Sequence, residues 1–415
     1  MSDPMNAGVD RREFLQAGVA AGAALTAATG LEAVARTPDD TKKKADATAK
    51  LELPRRVLGK TGEKVTILNL GTWQSPGVDR LLRFAYASGV RYFDTADCYG
   101  SEPAIARWLK SDASIRKNIF LATKDHPRQG PQQLIEMLDA RLQALQTDYV
   151  DLFFIHGIGP REYQGSLDWI KGKEFAAVVD KIKKSGKAKY IGFSCHDGAI
   201  AQYVQAAADA NIVDAIMIRF TAWLNRDTPL NKALDDCHKK NIGIVSMKQV
   251  AGQTDKILQE VPKRMPELKE RGMTPYMGLL HAIWSDERIS SCCVSMRNTD
   301  QIRQNTLAAR KYEPMHQASI MRLRDACLAA GPTFCADCDG RCSHAAGTQA
   351  ALGDLTRLLT YHDQYGYRGK ARELYANLPE SDRDWSGADL EAAQRACPSN
   401  LDFAALLPRV KDVLA

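Results

Sequence analysis

The chain has 415 residues, 45% hydrophobic and 26% charged, enough for one large globular core and a smaller module. A formal net charge of +6 is modest for this length. With no dense basic stripe interleaved with aromatics, it argues against a nucleic-acid binder.

Residues 1–35 are expected to be an export signal. Asp10-Arg-Arg-Glu-Phe-Leu-Gln16 resembles the twin-arginine motif, with Arg11 and Arg12 as the pair. A weakly apolar Ala/Gly stretch, Ala17 to Gly30, follows, then the small-residue site Ala33-Val-Ala35. The stretch is too short to make a stable membrane span. The twin-arginine (Tat) route moves folded proteins. It suits a chain that acquires a cofactor before reaching a periplasmic or equivalent compartment. Residues 36–54 are polar and read as a linker.

From Arg55 two short strand-like runs flank Gly59-Lys-Thr-Gly62 and read as a hairpin. Apolar strand runs then fall near residues 67–70, 90–94, 119–123, 150–155, 189–193, 214–219, 242–247 and 289–294. Helical patterns lie between them, as at Val78 to Ser88, Pro131 to Leu145 and Ala199 to Ala210. Eight strands alternating with helices predict an α/β fold, a (β/α)8 TIM barrel over residues 55–310. The rival open doubly wound sheet lacks its GxGxxG turn after the first strand. Residues 311–415 read as a small α-helical C-terminal extension, with helices predicted at His316 to Ala330, Ala350 to Tyr365 and Gly369 to Asn377.

Three successive strands end in chemistry-bearing residues. The run from Gly89 breaks into polar residues at Asp94, with Tyr99 on the following loop; Asn118 to Lys124 closes in lysine; Tyr149 to His156 closes in histidine. Strand C-termini form the rim where such barrels keep their active sites. Phe93-Asp-Thr-Ala-Asp-Cys-Tyr-Gly-Ser-Glu102, Ala122-Thr-Lys124 and Asp151-Leu-Phe-Phe-Ile-His156 together resemble the aldo-keto reductases, a likeness covering roughly residues 55–310. The resemblance implies a catalytic tetrad of Asp94, Tyr99, Lys124 and His156 and a nicotinamide cofactor, NADP(H), acting on a small-molecule carbonyl or aldehyde. In that reading Tyr99 is the proton donor, Asp94 aims Lys124, and His156 orients the carbonyl. A phenol with pKa ~10 needs tuning for such work. An ammonium ~4 Å away at an effective dielectric near 20 is worth about 4 kcal/mol, or about 3 pKa units. Lys124 is therefore expected to bring Tyr99 near working pH.

The resemblance also implies cofactor contacts. They are Gly71, Thr72 and Trp73 after the first barrel strand, Ser194 at the fifth and Lys248 at the seventh. Ser295, Arg297, Gln301 and Arg303 follow at the eighth strand and the helix after it, where arginine suits the extra phosphate of NADP. The sixth strand departs from the pattern. Met217 stands where a Gln is expected, and Phe220 where a stacking Tyr is expected. Phe220 can stack on nicotinamide; Met217 cannot bond the carboxamide.

Ten cysteines divide evenly between the barrel region and the C-terminal part. Cys335-Ala-Asp-Cys-Asp-Gly-Arg-Cys342 and the distant Cys397-Pro398 resemble the ferredoxin-like extension of a subset of aldo-keto reductases. That likeness implies a [4Fe–4S] cluster on Cys335, Cys338, Cys342 and Cys397, or with Cys327 in place of Cys397. His344 is a further candidate ligand. Zinc, disulfides or an empty remnant are the alternatives. A cluster would relay single electrons to a redox partner or serve as a staple. The rival functional reading is a cofactor-binding sensor or regulatory barrel with little turnover.

Overall fold

In this computed structural model the described residues are 52–415, apart from 74, 161, 225, 250–259, 331–334, 336–339, 364 and 365. The export-signal residues and Cys338 lie outside them. Strand β1 (Arg55–Val57) pairs antiparallel with β2 (Lys64–Thr66). Their turn is tight: Gly59 sits at φ +50, and a Cβ there would meet Asn241 O and Gly243 N at 2.3 Å. Only glycine fits, and the hairpin thereby seats against the start of the seventh barrel strand. Leu58 and Val65 enter the barrel's inner core from below.

The barrel strands are β3 (Leu68–Gly71), β4 (Tyr92–Asp94), β5 (Phe120–Asp125), β6 (Val150–Ile155), β7 (Ala188–Cys195), β8 (Ala215–Arg219), β9 (Gly243–Met247) and β10 (Ile289–Val294). All pair in parallel, and β10 closes on β3. Both faces of each strand are buried, so the strands read as nearly continuous apolar runs. Alternation sorts them: Tyr92, Ala122, Leu152, Phe154, Ala215, Met217 and Val245 fill the interior. Phe93, Leu121, Phe153, Ile155, Phe193, Ile216 and Ile218 face the surrounding helices.

Buried charges brace the barrel where they are paired. Arg116 meets Asp151 at 2.9 Å, and Asp151 Oδ2 also accepts from Leu121 N at 2.9 Å. Arg288 donates to Asp286, Asp235 and Asn231.

The extension is helical: Arg341–Ala345, Leu352–Asp363, Arg368–Ala376, Glu380–Arg383, Leu390–Ala396 and Phe403–Leu414. It has its own core around Leu355, Leu359, Phe403, Leu407 and Val410. Among the described residues no helix is long and apolar enough to cross a membrane.

Candidate active site

Parallel register places the three chemistry-bearing strand ends side by side. Asp94 lies opposite Ala122 of β5, and Lys124 opposite Phe154 of β6. Asp94 and Lys124 share the inward parity of Tyr92 and Ala122. The 3-10 turn Asp97–Tyr99 follows β4 and stops at Gly100, whose φ of +67 turns the chain. A hydroxyl chain holds this loop: Ser101 Oγ is 2.7 Å from Thr72 Oγ1 and 2.6 Å from Thr95 Oγ1.

Lys124 Nζ donates to Asp94 Oδ1 at 2.5 Å and to Thr95 O at 2.8 Å. Both side chains are 2% exposed, so this pair is desolvated and its geometry decides its charge state. Nζ stands 5.0 Å from the centre of the Tyr99 ring. Tyr99 Oη is 3.4 Å from His156 Nε2. The structure thus brings Asp94, Tyr99, Lys124 and His156 to one spot.

Burial works against the Lys124 ammonium, but the Asp94 carboxylate more than offsets it and holds the amine charged. Burial lowers His156 to about 4 against the opposing Asp97 contact, so its imidazole is neutral at pH 7. For Tyr99 the expectation of a lowered pKa fails. Burial raises the phenol, Lys124 pulls the other way, Asp94 adds to the rise, and the net direction is up. The physical reason is that burial of the phenol outweighs the field of Lys124, part of which Asp94 offsets. Tyr99 is a protonated donor across the neutral range.

Glu102, closing the same motif, accepts from Thr123 Oγ1 at 3.0 Å, with Arg141 3.5 Å away. Burial, opposed by Arg141, lifts its carboxyl to about 7 from an ordinary 4.5. A folded pKa above the unfolded one means the contribution is full below pH 4.5 and is lost as pH rises through 7. Glu102→Gln keeps an acceptor for Thr123. It is expected to raise stability at pH 8 by roughly 1–3 kcal/mol and to change little at pH 4. Denaturant unfolding at both pH values checks this; equal gains at both would place the effect outside titration.

The aldo/keto reductase family profile matches residues 68–325, the barrel and the first helix beyond it. The chain belongs to this family. Among its relatives, L-galactose dehydrogenase of Arabidopsis thaliana is 28% identical over 64% of this chain and 90% of its own length. L-glyceraldehyde 3-phosphate reductase of Escherichia coli O157:H7 is 26% identical over 62% and 88%. Aldo-keto reductase family 1 member A1 of Pongo abelii is 36% identical over 60% and 82%. A solved aldo-keto reductase from Bacillus halodurans, in holo form, superposes with a TM-score of 0.54 at 20% identity, over 66% of this chain and 96% of that one. That likeness concerns the fold.

The candidate cofactor residues of this aldo/keto reductase barrel have divided fates. Gly71 is a packing position: a Cβ there would come 2.9 Å from Cys293 Sγ and 3.4 Å from Ser295 Oγ. Thr72 is buried, and its hydroxyl is used by Ser101 and Asp94 O. Ser194 is buried and accepts from Gly157 N at 2.9 Å. Phe220 is 4% exposed and belongs to the outer core. Parity is the reason: Met217 and Arg219 take the inward positions of β8, and Phe220 takes an outward one.

Trp73 turns to the extension, 6.1 Å from the Tyr361 ring and 5.9 Å from the Tyr367 ring. Arg297 lies 4.6 Å from the centre of Tyr367. Arg303 is exposed, pairs with Asp300 and rests over Phe84. Gln301 Oε1 accepts from Arg297 N at 2.7 Å. Lys248 adopts φ +59 at the end of β9. Burial lowers it to about 8, against the opposing influence of Tyr361.

Sequence reasoning missed the extension's share of this rim. Arg219 reaches Asp354 at 3.7 Å, and a Cβ on Gly340 would lie 3.4 Å from Gly198. His196 is reached by solvent yet ringed by Lys248, Arg219 and Arg357. No short motif announces these contacts, because they join segments far apart in the chain. His126 was also missed; it directly follows β5 and pairs with Asp97 at 3.2 Å.

A dinucleotide fits one end of this rim. Arg297 has a buried Nε with no hydrogen-bond partner, beside the Asn298-capped start of helix Thr299–Arg310. A guanidinium at a helix N-terminus suits a phosphate. At the β8 end Met217 is buried in the inner core and Phe220 in the outer core.

The thiols are also sorted. Cys335, Cys342 and Cys397 belong to the extension's core or pack against it. Burial pushes Cys342 up to about 11, and the neighbouring Cys397 adds to the rise. Cys327 is fully buried in the barrel's outer core, apart from the extension core that the other described thiols share. His344 is exposed.

Proposed function

We propose that this protein is an NADP(H)-linked carbonyl reductase or alcohol dehydrogenase, exported by the twin-arginine route, with a [4Fe–4S] cluster in its extension. The convergence of Tyr99 Oη and His156 Nε2 at 3.4 Å, beside the buried Lys124–Asp94 pair, carries the catalytic reading. The protonated Tyr99 hydroxyl faces the space where a carbonyl oxygen would be reduced and is the proton donor there. Neutral His156 binds and orients that oxygen through Nε2. Lys124, fixed by Asp94 and Thr95 O, supplies positive potential behind the phenol and favours the developing oxyanion. Arg297 and the helix it precedes would hold the cofactor's phosphates, and the cofactor would supply the hydride.

The relatives named for L-galactose and L-glyceraldehyde 3-phosphate make small sugar carbonyls and alcohols the first compounds to try. NADPH oxidation by the purified chain with such a panel tests the reading. No turnover with any member, despite NADPH binding, favours the second reading, a cofactor-binding regulatory barrel. The contacts of Trp73 and Arg297 with Tyr361 and Tyr367, on the rim a cofactor would use, favour that reading.

Three described thiols sharing one core support the cluster, since [4Fe–4S] clusters are held by cysteine thiolates. Chain purified without oxygen is expected to be brown with about four irons, and Cys342→Ser to lose both. A colourless, iron-free chain would make the thiols packing residues.

A further inference from the structure

We propose that Asp97, Cys98, His126 and His156 form a binding site for a divalent transition metal of the zinc type, on the side of His156 turned away from Tyr99. Among the described residues, this is the one group of three or more potential ligands whose donor atoms all lie within 4.8 Å of one another. The spacings are those of a coordination shell. Asp97 Oδ1 is 3.2 Å from His126 Nδ1 and 3.7 Å from His156 Nδ1. Cys98 Sγ is 3.9 Å from His156 Nδ1. A tetrahedron with metal–nitrogen bonds near 2.05 Å and a metal–sulfur bond near 2.3 Å has edges of roughly 3.3–3.6 Å, and the three spacings lie within about 0.3 Å of that range. Two imidazoles, a thiol and a carboxylate are a zinc- or cobalt-type donor set.

Asp97 Oδ1 is buried, makes no hydrogen bond and faces both Nδ1 atoms. His126 Nδ1 also contacts Oδ2 at 3.2 Å, an ordinary Asp–His hydrogen bond, which leaves Oδ1 over. Two rings, 4.3 Å apart and tilted by 34°, turn the same nitrogen toward that oxygen.

The backbone holds this arrangement in place. His126 N donates to Asp125 Oδ1 at 2.7 Å, and His156 N donates to Asp125 O at 2.8 Å. Tyr163 Oη donates to His156 O at 2.7 Å. Four ligands come from three consecutive strand ends, and Cys98 is exposed, which gives the ion a way in.

A filled tetrahedron leaves no position for substrate, so the ion acts through His156. Metal on Nδ1 confines the ring proton to Nε2. His156 then donates toward the oxygen held by Tyr99 rather than accepting from it. The ion is a positioning element for the donor that the proposed reduction uses. Its binding can be measured without any turnover, so failure here and failure of the catalytic reading are separate results.

The test is titration of chelator-treated full-length protein with Co²⁺ under argon. One equivalent is expected to bind with the intense visible absorption of tetrahedral cobalt and a thiolate-to-cobalt band. His126→Ala is expected to weaken uptake by on the order of 100-fold, and Cys98→Ser to remove the thiolate band. His126→Cys, which restores a ligand, is expected to recover binding, and thermal unfolding of each variant confirms the fold. No tetrahedral cobalt in the parent chain overturns the proposal. So does uptake that His126→Ala and His126→Gln both leave unchanged, because the ion then sits on other thiols.

Discussion

Tyr99→Phe is expected to lower kcat for carbonyl reduction by about 10²- to 10⁴-fold, the usual worth of a positioned general acid. Stability should hardly move. The phenol's one described side-chain partner is His156, at a long 3.4 Å. The ring itself, with Lys124 5.0 Å from its centre, is kept in the variant. The comparison of kcat with KM matters here. A proton donor acts in the transition state, so kcat should fall while substrate binding changes little. An unchanged kcat would remove Tyr99 from the chemistry. Because burial raises this phenol, the parent enzyme should keep its reductive activity on the alkaline side of neutrality, with no loss traceable to Tyr99 ionisation there.

Lys124→Met is expected to have the larger structural effect. It leaves the Asp94 carboxylate, 2% exposed, without its cation. Breaking one side of a buried pair costs about 3–5 kcal/mol. Asp94 Oδ2 already lacks a partner, and Cys293 Sγ is a weak donor at 3.6 Å, so little remains to compensate. The double variant Asp94→Asn/Lys124→Met removes both charges and should recover part of that loss. Denaturant midpoints for the three proteins decide the matter. Equal stability of Lys124→Met and the parent would mean that the pair is not charged as described. Activity should stay low in the double variant, since the potential behind Tyr99 is gone even where the fold is regained.

The barrel was legible because parallel strands buried on both faces leave a plain trace. Val150–Ile155 and Ile289–Val294 stand where their apolar runs predict them. The tetrad was legible for the same reason, since each of its residues follows such a run. What failed was electrostatic or long-range. The phenol's direction depends on how deeply it is buried, which the order of residues does not state. Phe220 stands one step past the end of β8 at Arg219, where a single step of alternation turns a side chain to the opposite face. Trp73, expected at the cofactor, meets Tyr361 and Tyr367 from beyond the barrel. His126 went unnoticed because a lone histidine carries no signal until Asp97 and His156 stand beside it.

The proposed reaction at this site is hydride transfer between a nicotinamide cofactor and a small carbonyl compound. Its most direct test is isotopic. The full-length protein is incubated with NADPH carrying deuterium at the transferable nicotinamide position and with a small sugar aldehyde, and the product is analysed by mass spectrometry. Deuterium on the former carbonyl carbon, absent with Tyr99→Phe over the same interval, is the result this account requires. Bound NADPH with no label in any product would contradict it and assign the barrel to cofactor sensing.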